Sequence, residues 1–185
     1  RNSKGHDAWI GPRWAIFRGD DLVPSARTLT ETGARSRTRL RFALPDDWSS
    51  ITAYPRTDDD WYRVDRPERR FDRPVGWMAV GRLGVRRATI SGVDVAVAGP
   101  TGIGLRRMDT LAFLNWNLPA VAAVFEDFPQ QLLVLSAGEP MWRGGLSGPA
   151  SLFLHQDRPL ISENGTSTLM HELLHLAQGY RADDD

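Results

Sequence analysis

Five consecutive residues, His171, Glu172, Leu173, Leu174 and His175, form an HExxH. On an α-helix residues four apart share one face, so both imidazoles can point at a single ion while Glu172, about 100° round the axis, sits beside an ion-bound water. The chemistry this suits is metal-assisted hydrolysis. Zinc would polarise a scissile carbonyl and acidify its water, and the glutamate would take the water proton and pass it to the leaving amine. Random placement of the four histidines and the glutamates of this chain would produce roughly 0.003 such motifs, so chance is a poor source. Leu169, Met170, Leu173, Leu174, Leu176 and Ala177 surround the histidines with uncharged side chains. This predicts a helix in a core, with His171, Glu172 and His175 as unusual burials. The competing reading is a solvent-facing His-Glu-His stripe on an amphipathic helix.

A tetrahedral catalytic zinc takes three protein ligands and keeps one position open, and the motif supplies two. The chain has no cysteine, which leaves His, Asp and Glu as donors. A metzincin continuation would place a histidine six residues after His175, where this chain has Arg181, and that class is excluded. Asp183, Asp184 and Asp185 are carboxylates, but Gly179 predicts the helix end before them, and such a run reads as a solvated chain end. The expected third ligand is a glutamate on a following helix, beyond residue 185. His155, at the end of the apolar run SLFLH, reads as a surface or hydrogen-bonded residue in preference to a ligand. His6 lies in a polar leading segment and is given no role. Trp116 and Trp142 read as core or interface anchors before substrate stackers.

The elements that must position this site follow from periodicity. ENGTSTLMHELLHLAQGY predicts a helix of about three to four turns closed by Gly179. Ahead of it MWRGGLSGPASLFLH predicts a glycine-rich loop feeding a strand, and QLLVLSA a buried strand. A strand beside a zinc cleft can hold an extended peptide by main-chain hydrogen bonds, and glycines let that backbone approach closely. Gly144, Gly145 and Leu146 are therefore the candidate substrate-binding residues. Further upstream, LAFLNW predicts a helix capped by Asp109, and AVAAVFEDF a second helix opening at Pro119 with Asn117 as its cap.

From Trp9 to about Gly99 short apolar or alternating stretches are punctuated by Pro and Gly, which predicts a β domain. Its clearest strand is TRLRFAL, where Leu40, Phe42 and Leu44 alternate with Arg39, Arg41 and Ala43. The run TDDDWYRVDRPERRFDRP predicts a long surface loop or irregular connection. The change of pattern after GPTGIG sets the expected boundary, with an N-terminal β domain over 1–104 and a mixed α and β domain over 105–185.

The 185 residues, 41% hydrophobic and 25% charged, are those of a folded globular chain, and disorder and collagen-like repeats are excluded. Lys and Arg total 23 and Asp and Glu 23, so no bulk field steers the protein toward nucleic acid or anionic lipid. No apolar run reaches the roughly 18 residues of a membrane span. The lack of cysteine does not fix a compartment. The chain opens at Arg1 and stops at Asp185 just after a helical pattern, which reads as an excised fragment. Such a piece is expected to bind zinc poorly and to self-associate through exposed leucines.

Taken together, WAIFRGDDLV near the start of a β domain, a glycine-rich GGL ahead of a strand and a helix bearing HELLH resemble the M61 glycyl aminopeptidase family, thermolysin-like zinc peptidases of the gluzincin group. The resemblance implies an α+β fold, in which a sandwich-like all-β domain precedes the first part of a thermolysin-like zincin catalytic domain. It implies zinc as cofactor and a peptide or protein as substrate. Carried over residue by residue, His171 and His175 resemble the zinc ligands and Glu172 the general base. The family's third ligand, in a WxxEG-type motif on a later helix, has no counterpart here. Where the family commonly reads GGLEH, Gly144, Gly145 and Leu146 are followed by Ser147 and Gly148. The glutamate that reads a substrate's free amine in related aminopeptidases is therefore missing, and exopeptidase and endopeptidase action both stay open. The rival from another class is a non-catalytic β-domain binding module with a relic HExxH.

Overall fold

The structure, a computed structural model, describes residues 7–27, 29, 31–33, 37–64 and 73–179. In chain order its elements are β1 (Trp9–Ile10), β2 (Trp14–Arg18), the single-turn α1 (Gly19–Leu22), β3 (Arg39–Leu40), β4 (Ser49–Thr52), β5 (Tyr62–Arg63), β6 (Trp77–Gly81), β7 (Leu83–Ile90), β8 (Val93–Pro100), α2 (Arg107–Val124), β9 (Gln131–Ala137), β10 (Gly145–Gly148), β11 (Ser151–His155) and α3 (Thr168–Ala177). The fold is α+β. An antiparallel sheet ordered β1-β2-β6-β4 stacks on a mixed sheet ordered β10-β11-β9-β8-β7, and α2 and α3 cover the far side of the mixed sheet.

The side chains of β9 explain the layering. Leu132, Leu133, Val134 and Leu135 are all buried, as expected for a central strand covered on both faces. Alternation then splits them. Leu132 and Val134 join Val95, Val97, Leu152 and Leu154 against the helices, where Leu114, Leu118, Leu169 and Leu173 meet them. Leu133 and Leu135 join Ala96, Ala98 and Phe153 against Ile16, Ile51, Trp77 and Ala79 of the four-stranded sheet.

This pairing corrects the boundary expected at residue 104. β8 ends at Pro100, yet it lies parallel beside β9 with Val95 opposite Leu132 and Val97 opposite Val134. The change from strand to helix after Gly104 is the crossover of a β-α-β unit, in which α2 carries the chain between neighbouring parallel strands. Both β7 and β8 thus belong to the sheet that supports the HExxH helix.

Two further expectations are corrected. TRLRFAL enters a ladder only at Arg39 and Leu40, opposite Arg63 and Tyr62. Its alternation survives as packing, because Leu40, Phe42 and Leu44 cover Phe17 and Met78 on the outer face of the four-stranded sheet. The two helices expected around Pro119 are one, with Pro119 inside it and no side-chain cap at its start. The buried stripe Leu111, Leu114, Leu118 and Val121 runs unbroken through the proline, and that packing outweighs the missing N–H.

Candidate metal centre

The helix α3 begins at an N-cap serine. Ser167 accepts the Met170 N–H at 3.2 Å through Oγ, and its carbonyl accepts the His171 N–H at 3.0 Å. Gly179, at φ +76°, closes the far end, its N–H donating to the Leu176 carbonyl, a left-handed stop that glycine makes without strain. Leu169, Leu173 and Leu176 bury one side of the helix. The opposite side carries His171 and His175, whose ring centroids lie 4.5 Å apart at 85° and whose Nε2 atoms lie 3.0 Å apart, so that one ring can donate to the other. The two histidines therefore share a face, as their spacing requires.

Burial divides the motif in a way the sequence did not foretell. Glu172 is 8% exposed, whereas His171, Leu174 and His175 are exposed. The apolar flanks predict burial for all three polar residues, but a helix of this pitch resting on a sheet buries only about half of its circumference. The His171 and His175 stripe points away from that contact.

What buries Glu172 is the hairpin of β10 and β11. At Gly145 a Cβ would lie 2.6 Å from Glu172 Cγ and 2.8 Å from Thr168 Cγ2. Only a residue without a side chain lets the strand approach α3 this closely. Gly144 is constrained from the other side, since a Cβ there would overlap the Trp142 ring. Leu146 is half-buried, and its carbonyl accepts the Trp77 indole N–H at 2.9 Å. The Trp77 backbone N–H donates to Ser151 Oγ at 2.8 Å, which ties the four-stranded sheet to both strands of the hairpin.

SLFLH is a strand beside α3, and the glycine-rich stretch ahead of it is itself a strand. Among the described residues β10 is the edge of the mixed sheet, paired with β11 alone. Gly144 accepts the His155 N–H through its carbonyl, and Gly145 is opposite Leu154. In an antiparallel pair hydrogen-bonded and non-hydrogen-bonded positions alternate. The main-chain groups of Gly144 and Leu146 therefore face β11, and those of Gly145 and Ser147 face outward along the edge. Ser147 was missed in the sequence because only the register with β11 reveals which residues look out.

Of the two readings of His155, surface or hydrogen-bonded, the structure shows the second: it is wholly buried, because β11 is an inner strand whose last residue lies under the loop that follows. Its Nδ1 accepts the Asp157 N–H at 3.3 Å, and its Nε2 has no partner. Burial pushes its pKa down, more than the nearby Asp157 carboxylate raises it. Among the described residues no group of three His, Asp or Glu is placed to hold a metal ion. His6, Arg181 and Asp183, Asp184 and Asp185 lie outside the described residues.

No protein-family model matches the chain, and no curated protein is similar to it. Among solved structures it is similar to an aminopeptidase N family protein from Idiomarina loihiensis, with a TM-score of 0.66 and 17% identity over 92% of this chain and 31% of that one. What the two share is the fold. An M1 zinc metallopeptidase from Deinococcus radiodurans, in a complex with a Tyr-Ser-Ala substrate, matches 76% of this chain and 32% of its own at 14% identity. Its TM-score of 0.41 is too low to add to the argument. The chain spans about a third of the length of these relatives.

Proposed function

We propose that this chain carries the metal-binding helix and substrate-binding edge strand of a zinc-dependent peptidase, in which Glu172 is the general base for attack of water on a peptide bond. The observation that carries this is the arrangement of α3 against β10, with two imidazoles on one helix face and the intervening carboxylate against an edge strand. The fold shared with an aminopeptidase N family protein supports it. Closer kinship with the M61 family rests on the sequence features alone.

The donor set fits zinc as far as it goes. Two nitrogens each about 2.0 to 2.1 Å from a tetrahedral ion stand about 3.3 Å apart, and the two Nε2 atoms here are separated by 3.0 Å. His171 and His175 would hold the ion, with the third donor, a glutamate, coming from outside the described residues. When bound, zinc supplies Lewis-acid polarisation and lowers the pKa of water. Glu172 takes the proton of the attacking water and delivers it to the leaving amine. The outward N–H and C=O groups of Gly145 and Ser147 hold an extended substrate as an added strand, which sets the scissile bond beside Glu172.

The test is Glu172→Gln in the whole protein, read by metal analysis and peptide cleavage together. Retained zinc with lost turnover supports the assignment. Cleavage at the parental rate removes Glu172 from its role, and a parental protein with neither zinc nor turnover favours the non-catalytic binding module.

A further inference from the structure

The ribbon of β3 and β5 lies on the outer face of the four-stranded sheet, on the side away from α3. Leu40, Phe42 and Tyr62 point inward, with Phe42 and Tyr62 in edge contact at 6.1 Å and the Tyr62 hydroxyl donating to the Ser50 carbonyl at 2.8 Å. That side anchors the ribbon, and the other side is basic. Arg39 is directly opposite Arg63, and opposite residues of an antiparallel pair project to the same side. Alternation adds Arg41, two residues on from Arg39, and Trp61, two residues back from Arg63. The Arg39 and Arg41 guanidiniums lie over the Trp61 ring, 4.8 and 5.0 Å from its centroid. The Thr38 carbonyl accepts the Val64 N–H at 3.0 Å, which extends the pairing by one residue and leaves the exposed Arg37 next in the row.

Among the described residues Arg37, Arg39, Arg41 and Arg63 form no ion pair. Asp60, in the turn before Trp61, is taken by Arg56 at 2.5 Å, and Asp58 and Asp59 beside it pair with none of the four. Like charges directly opposite each other destabilise a sheet. In a chain with 23 basic and 23 acidic residues, such a concentration does not follow from bulk charge. A row of this kind, kept against a local rule of sheet pairing, marks a functional surface.

We infer that this face binds an acidic segment of a partner protein in extended conformation, with carboxylates at alternate residues over Arg37, Arg39 and Arg41. In an extended chain alternate side chains share a face about 6.8 Å apart, which is the pitch of the arginine row itself. A guanidinium stacked on an indole stays oriented and keeps its N–H edge free for a carboxylate. The same stacking argues against nucleic acid. Trp61 is half-buried and its ring already carries two guanidiniums, so it offers no open platform for a base. Each exposed ion pair contributes little, and the contact is accordingly weak, multivalent and salt-sensitive. This inference does not rest on the peptidase assignment.

Fluorescence anisotropy of the 185-residue chain with a labelled peptide that alternates glutamate and threonine tests it, at low and at physiological salt. The comparisons are a peptide of the same composition with its glutamates in one block and a labelled oligothymidylate, with circular dichroism to confirm folding. The alternating peptide should bind at least about threefold more tightly than the block peptide. Arg39→Gln and Arg41→Gln should each weaken it by about threefold to fivefold, the worth of an exposed ion pair, whereas Arg87→Gln, on exposed surface of β7, should leave it unchanged. Arg63→Gln should weaken binding while raising the denaturant midpoint, because it removes the like charge opposite Arg39. Absence of binding at low salt overturns the proposal. So does an equal loss from Arg87→Gln, which leaves only bulk charge, or equal affinity for the block peptide. Tighter binding of the oligothymidylate overturns it in favour of a nucleic-acid surface.

Discussion

A Cβ on Gly145 would lie 2.6 Å from Cγ of Glu172. Glycine in the edge strand and glutamate in the helix are therefore one unit, since the carboxylate keeps its place only while the strand has no side chain there. Gly145→Ala should displace Glu172 and Thr168 and cost about 1 to 3 kcal/mol of stability by overpacking. It should lower turnover of the whole protein more than zinc content. Denaturant midpoints, metal analysis and kcat on one preparation check this, and unchanged kcat would show that the carboxylate tolerates the shift.

Glu172→Gln keeps the volume and removes the base. In the whole protein zinc should stay bound while turnover falls by about 10²- to 10⁴-fold, the usual worth of a positioned proton carrier. Equal losses of zinc and rate would instead make Glu172 a ligand.

The 185-residue chain by itself should hold zinc poorly. Loss of an outer-shell partner alone costs about 10- to 100-fold in affinity, and a missing carboxylate ligand should cost at least that. Calorimetric titration before and after His175→Ala reads the effect. Tight stoichiometric binding would show that these residues complete the ligand set, and the terminal aspartates would then be the first place to look.

His155 makes stability depend on pH. Its folded pKa lies below the unfolded value because burial disfavours the cation. Below the unfolded value, about 6.5, the unfolded chain binds a proton that the folded chain refuses. This residue therefore lowers stability as pH falls through 6.5 toward its folded pKa, with a limiting slope of about 1.4 kcal/mol per pH unit. Thermal melts of the wild type and His155→Phe between pH 5 and 8 should differ in that window, and parallel profiles would refute the assignment.

Pro119 interrupts the hydrogen bonds of α2 without interrupting its packing. Pro119→Ala restores one N–H to the Asn115 carbonyl and should stabilise the chain by about 1 to 3 kcal/mol, as judged by its denaturant midpoint.

How far such properties can be read in advance depends on whether a residue answers to its neighbours in the chain or to distant ones. The helix of His171 and His175 was legible because spacing alone puts both rings on one face, and its stop is written in Gly179. The buried strand at Leu132 to Leu135 was legible from its unbroken apolar run. The single helix through Pro119 was hidden, because the stripe from Leu111 to Val121 matters only once a sheet lies beneath it. Likewise the join of Val95 to Leu132 lies across 37 positions of sequence, and nothing local to residue 104 announces it. The outward aspect of Ser147 depends on the register of β11. The burial of His155 depends on the loop that follows it.

Trp77 stands in the four-stranded sheet, yet its indole and its backbone N–H hold Leu146 and Ser151 in the hairpin. The layer farthest from the histidines thus acts as a brace, fixing how the edge strand presents itself to anything that docks along it. Exchange of this β layer for that of a distant relative would transfer a different brace, and the edge strand would sit differently against Glu172 even though no residue of β10 or α3 had changed.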